Sequence, residues 1–270
     1  MLPAFLPSPP FSSFHVGPLT IHIYGVAYVV GLIVAVAITE RRWAAVGGAP
    51  GLWQEVAPWI FGAGVIGGRL YYVATSPNNV FTHWWTPFAI WQGGMGIWGG
   101  IITATLAGVL LMWNRDVSVI LALDIVAPAL LVAQAIGRIG NYFNQELFGA
   151  PTALPWGLEI SRAHRPIDYS RYITFHPTFL YELIWDLTLA ALLVWLGRYR
   201  LIRTPGLFAL YLAGYSLGRV GEEILRIDPS RHIFGLRLNL YVATASCLVG
   251  MGWFVHIQHW GSRTSLRSSN

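Results

Sequence analysis

Apolar residues run in long blocks, broken by short clusters of arginine, proline and glycine. That pattern predicts membrane-spanning helices. Seven blocks approach or exceed the roughly 17–25 residues a helix needs to cross a bilayer. They are residues 19–38, 52–74, 88–113, 117–134, 176–195, 206–224 and 236–255. Gly64 and Gly68 form a small-xxx-small pair that permits close helix approach. Gly93, Gly94, Gly96, Gly99 and Gly100 make the start of the third block irregular or tightly packed. Residues 1–18 read as an interfacial lead-in. Residues 75–87, with Pro77, Asn78, Asn79 and His83, read as a loop at the membrane surface. The polar stretch 149–174 reads as a small extracytoplasmic head within a membrane domain over 19–258, and residues 259–270 as a frayed cytoplasmic tail. The expected fold is an all-α polytopic membrane protein with seven transmembrane helices.

Polar residues interrupt this pattern in a few places. Gln134, Arg138, Asn141 and Gln145 share a helical face at i, i+4, i+7 and i+11, at the end of the fourth block. Charges at such depth turn inward, toward a partner or a watery cavity. Arg69, Arg138 and Arg219 all fall inside or at the edge of a block. An unpaired arginine there costs roughly 3 kcal/mol or more. Two readings stay open: internal ion pairing, such as Arg219 with Glu223 at i, i+4, or a grip on an anionic lipid head by Arg138 and Arg219. The guanidinium fork suits phosphate or carboxylate in a way lysine does not.

Asn144, Gln145 and Glu146 follow Asn141 closely, and helix capping accounts for only one or two of these four. Arg219, Glu223 and Arg226 share a face, so Glu223 can orient either arginine. Glu222, about 100° round the helix, reads as interfacial. His176, Tyr181 and Glu182 lie at the outer end of the fifth block, His176 as a cap or base and Glu182 as an arginine partner. Ser216 sits in a Gly-x-Ser-x-Gly run, but inside a helix, where packing explains the glycines. No zinc-ligand spacing is present in the sequence. Cys247, alone, reads as a buried inert thiol.

Composition agrees with the pattern. Hydrophobic residues make up 55% of the 270, and charged residues 11%, against about a quarter in soluble domains. All 17 basic residues are arginine, and the net charge is +5. The arginines flank apolar blocks rather than gather on one soluble face, which argues against a nucleic-acid partner. Arg41, Arg42, Arg115, Arg198, Arg200, Arg203, Arg263 and Arg267 fall on one side of a seven-span arrangement. Arg162, Arg165, Arg171, Arg226, Arg231 and Arg237 fall on the other. With the head discounted, the positive-inside rule places the N-terminus outside, the C-terminus in the cytoplasm and the polar motifs at the outer face.

The run Gly137-Arg138-Ile139-Gly140-Asn141-Tyr142-Phe143-Asn144-Gln145-Glu146 resembles the signature of the bacterial prolipoprotein diacylglyceryl transferases, with Tyr142 in place of the usual phenylalanine. Tyr24-Gly25, the segment 64–69 and the run from His176 to Glu182 resemble further motifs of that family. So do Gly214-Tyr215, Arg219, Glu223, Arg226 and Asp228. The resemblance covers most of the chain.

The resemblance implies an enzyme of the bacterial inner membrane with no cofactor or metal. It implies transfer of the diacylglyceryl group of phosphatidylglycerol to the lipobox cysteine of a preprolipoprotein, at the extracytoplasmic face. Carried over residue by residue, it gives Arg138, Arg219 and Glu223 catalytic roles. It gives substrate-binding roles to Tyr24, Arg69, Asn141, Asn144, Glu146, His176, Tyr181, Glu182 and Arg226. One departure stands out. The family commonly has histidine, proposed as the thiol's base, where this chain has Trp98, and an indole accepts no proton at neutral pH. Three readings stay open: His176 or Glu223 replaces it as base, arginine-assisted loss of the thiol proton to water suffices, or the fold has lost its activity. A transporter or flippase for anionic lipids or solutes would use paired arginines too, although no internal repeat supports inverted halves. The sequence leaves the oligomeric state open.

Overall fold

The structure, a computed structural model, describes residues 5–17, 19–76, 85–90, 93–198 and 202–260. The loop residues Pro77, Asn78, Asn79 and His83, and the tail from 261 onward, lie outside the described residues. Seven long helices occur among those described: α1 Ile23–Ala45, α2 Leu52–Thr75, α3 Ile97–Trp113, α4 Val119–Asn144, α5 Thr178–Arg198, α6 Gly206–Leu225 and α7 Leu238–Trp260.

The expectation of seven transmembrane helices is corrected. Among the described residues only four are both long and apolar enough to cross a membrane: Ile23–Ala45, Val119–Asn144, Thr178–Arg198 and Leu238–His259. α3 has 17 residues, about 26 Å at 1.5 Å per residue, short of the roughly 30 Å hydrocarbon core. α2 contains Gln54, Glu55 and Arg69, and α6 contains Arg219, Glu222 and Glu223. Blocks that read as continuous also shorten at their ends. Leu19–His22 is a strand paired with Ser13–Val16, and residues 86–88 form a 3-10 turn ahead of α3. The opposite-sided placement of the termini rested on seven crossings and falls with them.

The chain divides into two compact units, Ile38–Ala122 on one hand and Met1–Ala37 with Leu123–Asn270 on the other. In the first, α2 and α3 approach through glycine. A Cβ built on Gly99 would lie 2.3 Å from the Gly67 carbonyl oxygen, so no side chain fits there without backbone movement. Thr103 Oγ1 donates to the Ala63 carbonyl at 2.8 Å across the same contact. The Glu40 carboxylate accepts from the backbone N–H groups of Gly51 and Trp53, satisfying donors that the start of α2 leaves orphaned.

In the second unit, Ala127, Leu131, Ala190, Leu193 and Leu207 form a buried core shared by α4, α5 and α6. α7 packs on α6 at Gly250, where a Cβ would meet the Ala213 amide nitrogen at 2.6 Å. Ser216 is buried within α6, in line with a packing role, and Cys247 on α7 is half-buried. The polar stretch after α4 folds as a small head. Two further strands, Leu158–Glu159 and Thr174–Phe175, pair antiparallel over buried Phe148, Leu158, Ile160 and Phe175. Leu6, from the lead-in, bridges Leu158.

Candidate active site

α4 carries the central motif as helix as far as Asn144. It stops there because Gln145 adopts φ +52°, a left-handed conformation uncommon outside glycine. The side chain of Gln145 holds that turn. Its Nε2 donates to the Pro9 carbonyl at 3.0 Å, and its Oε1 accepts from the Ser161 N–H at 2.8 Å. Gln145 therefore anchors the head and leaves the face that the periodicity gave it. Past the turn, Gly149 N–H donates to the His176 carbonyl and Ala150 N–H to the Leu225 carbonyl, at 2.9 and 2.8 Å. These bonds tie the end of the motif to the start of α5 and the end of α6. Arg138, Glu182 and Arg219 are brought together in this way.

Glu182 lies between the two arginines. Its Oε1 is 3.2 Å from Arg138 Nε, and its Oε2 accepts from Arg219 Nη1 at 3.3 Å. The first contact is charge attraction without hydrogen-bond geometry, because Arg138 Nε is not aimed at the carboxylate. Arg138 Nη1 donates to Asn141 Oδ1 at 3.0 Å, and Asn141 Nδ2 donates in turn to Glu146 at 2.8 Å. Asn144 Nδ2 reaches the same Glu146 oxygen at 3.2 Å. Arg219 also bonds Glu222 and, through Nη2, Glu223 at 2.5 Å. Glu222, which reads from sequence as interfacial, is therefore buried beside Arg219.

Glu223 is the hub of the far side. It accepts from Arg237 Nε at 2.7 Å and Asn239 Nδ2 at 3.4 Å, with Arg226 at 3.7 Å. Arg226 grips Asp228 with two parallel bonds of 2.6 and 2.9 Å, and Arg237 adds a third at 3.1 Å. Arg237 reads from sequence only as a charge at the start of the seventh block; its role in the network needs the return of the chain into α7.

Burial would raise the Asp228 carboxyl, but its bonds to Arg226 and the charges of Arg226 and Arg237 hold it below the ordinary carboxylate range. The stability it lends is therefore whole above the unfolded value of about 3.9 and lost as pH falls through the lower folded value. Asp228→Asn should melt below the wild type at neutral pH, with the gap closing in acid. A gap independent of pH would contradict this.

Other candidates have structural partners. The Tyr24 ring packs on Gly140, where a Cβ would approach it to 2.3 Å, and the Tyr24 hydroxyl accepts from Tyr28 at 3.2 Å. Tyr181 OH lies 3.1 Å from His176 Nδ1 and accepts from Trp156 Nε1 at 3.0 Å, pinning the head to α5. In the other unit, Arg69 is buried. Its guanidinium donates to the carbonyls of Thr86, Pro87, Gly93 and Gly94 at 2.6–2.9 Å, which orders the loop ahead of α3. Trp98, in the first turn of α3, is exposed.

Exposure of the side chains distinguishes the charges. Arg138 and Arg219 keep 20% and 17% of their side-chain surface open, while Glu182 and Glu223 keep 3% and 0%. The cations face an accessible side, with carboxylates sealed behind them. A cleft of about 400 Å³ opens beside Arg219, between α5 and α6, lined by Glu182, Asp186, Tyr215, Arg219 and Glu222 among others.

The family model described as Prolipoprotein diacylglyceryl transferase matches residues 12–256. A phosphatidylglycerol–prolipoprotein diacylglyceryl transferase of Cutibacterium acnes is 48% identical over 237 residues, covering 87% of this chain and 80% of the relative. Transferase 2 of Streptomyces coelicolor is 42% identical over 255 residues, covering 91% and 80%. The Bifidobacterium adolescentis transferase is 40% identical over 278 residues, covering 97% and 83%.

Proposed function

The chain belongs to the prolipoprotein diacylglyceryl transferase family, and from that premise we propose that Arg138 and Arg219 together hold the phosphate of its lipid substrate. It is a multi-pass inner-membrane enzyme. It transfers the diacylglyceryl group of phosphatidylglycerol to the lipobox cysteine of preprolipoproteins, forming a thioether and releasing glycerol 1-phosphate.

The observation that carries the arginine assignment is the shared carboxylate. Glu182 touches both guanidinium groups, at 3.2 and 3.3 Å, and both are partly open. Of Arg219's three carboxylate contacts, that to Glu182 is the longest. Glu182 is therefore the partner that yields when phosphate arrives, while Glu222 and Glu223 keep the fork aimed. Asn141 fixes Arg138, and Glu146 fixes Asn141 and Asn144.

The thiolate sulfur attacks the glyceryl carbon that bears phosphate. The carbon–oxygen bond breaks, and its electron pair leaves on the phosphate oxygen. Preset guanidinium donors stabilise that developing charge. Glu223 is already held by Arg219, Arg237 and Asn239, which suits orientation rather than proton transfer. We place the site toward the extracytoplasmic face, where the lipobox cysteine is presented.

The direct test uses purified protein in phosphatidylglycerol vesicles with a lipobox peptide. The peptide should gain the mass of one diacylglyceryl group. No gain with folded protein would contradict the reading.

A further inference from the structure

Asp186 takes no part in the chemistry above, yet its position calls for a ligand. It is 0% exposed, and neither carboxylate oxygen has a hydrogen-bond partner among the described residues. It follows Glu182 by four residues on α5, about 6 Å along the helix axis, and lines the same cleft as Glu182 and Arg219. A sealed carboxylate without donors is costly in a low-dielectric interior. The other acids of the cleft, Glu182 and Glu222, have Arg219. Asp186 has two adjacent acceptor oxygens with nothing on them.

We propose that Asp186 is the seat for the vicinal diol of the phosphatidylglycerol head, each carboxylate oxygen accepting a hydrogen bond from one hydroxyl. The inference rests on phosphate binding at Arg138 and Arg219. With phosphate there, the terminal glycerol extends into the cleft, one helical turn beyond Glu182. Two neighbouring hydroxyls match two neighbouring acceptors. A bare phosphate or a lone amine supplies no such pair. Asp186 thus acts as a specificity residue for the lipid head and for the departing glycerol phosphate.

The test compares free glycerol 1-phosphate with inorganic phosphate as competitors of transfer in phosphatidylglycerol vesicles. In the wild type, glycerol 1-phosphate should inhibit about tenfold better, the size of one good charge-assisted hydrogen bond. Asp186→Ala should erase that advantage and raise KM for phosphatidylglycerol, with the smaller effect on kcat. Asp186→Asn, nearly isosteric and keeping one acceptor, should fall between. Equal inhibition by the two anions in the wild type would overturn the assignment of Asp186 alone. So would an advantage that survives intact in folded Asp186→Asn and Asp186→Ala. If neither anion competes, the arginine reading fails and takes this one with it.

Discussion

Arg219→Ala should lower kcat for diacylglyceryl transfer by about 10²–10³-fold, the cost of removing a preset donor from a developing oxyanion. Arg138→Ala should behave likewise. Arg219 presents a fork that Glu222 and Glu223 aim, so the effect should fall on kcat more than on KM. The alanine variant also takes the ion-pair partner from buried Glu222, while Glu182 keeps Arg138 and Glu223 keeps Arg237, and breaking a buried pair costs roughly 3–5 kcal/mol of stability. Arg219→Lys is the needed companion because it keeps the charge but loses the two-pronged geometry. Initial rates in phosphatidylglycerol vesicles, beside thermal melts, separate the two effects. A folded Arg219→Lys or Arg138→Ala protein with near-normal rates would show that these arginines do not carry the leaving group.

Glu223→Ala should give the largest stability loss among the acids, about 3–5 kcal/mol. Glu223 is 0% exposed and satisfies Arg219 and Arg237 at once, with Asn239 as a third donor. Its removal leaves guanidinium groups facing one another without the bridging charge. Glu223→Gln keeps the shape and one acceptor, so it should fold better than alanine while still misaiming Arg219. A double-mutant cycle with Arg237→Met measures the link: the two changes together should cost clearly less than their sum. Strict additivity would mean that the bridge to Arg237 is incidental.

Much of the site follows from local spacing. Arg138 with Asn141, and Arg219 with Glu223, sit three and four residues apart, and a helix places such residues side by side. What needed the fold was the long-range half. Glu182 meets Arg138 and Arg219 only because backbone bonds from Gly149 and Ala150 draw α4, α5 and α6 to one level. Arg237 joins after the chain turns back into α7. Asp186 is hidden in an apolar run, where a lone acid gives no sign of facing a cleft. Glu222 falls off the face of Glu223 and Arg226, yet it meets Arg219 because i, i+3 also brings side chains together.

The fold was legible in its helices and less so in its crossings. The apolar blocks located every long helix among the described residues. Block length alone, however, ignored the charges within α2 and α6 and the glycine-rich start that shortens α3. The short strands at Ser13–Val16 and Leu19–His22 carry no distinct signal, because an apolar run of that length fits either a strand or the first turn of a helix.

One measurement bears most directly on the two arginines as joint holders of the lipid head: a structure of the protein in nanodiscs of phosphatidylglycerol. Phosphate oxygens should lie within hydrogen-bond distance, about 3.2 Å or less, of both Arg138 and Arg219, with Glu182 moved off at least one of them. A headgroup bound elsewhere, with both arginines still resting on Glu182, would contradict the account.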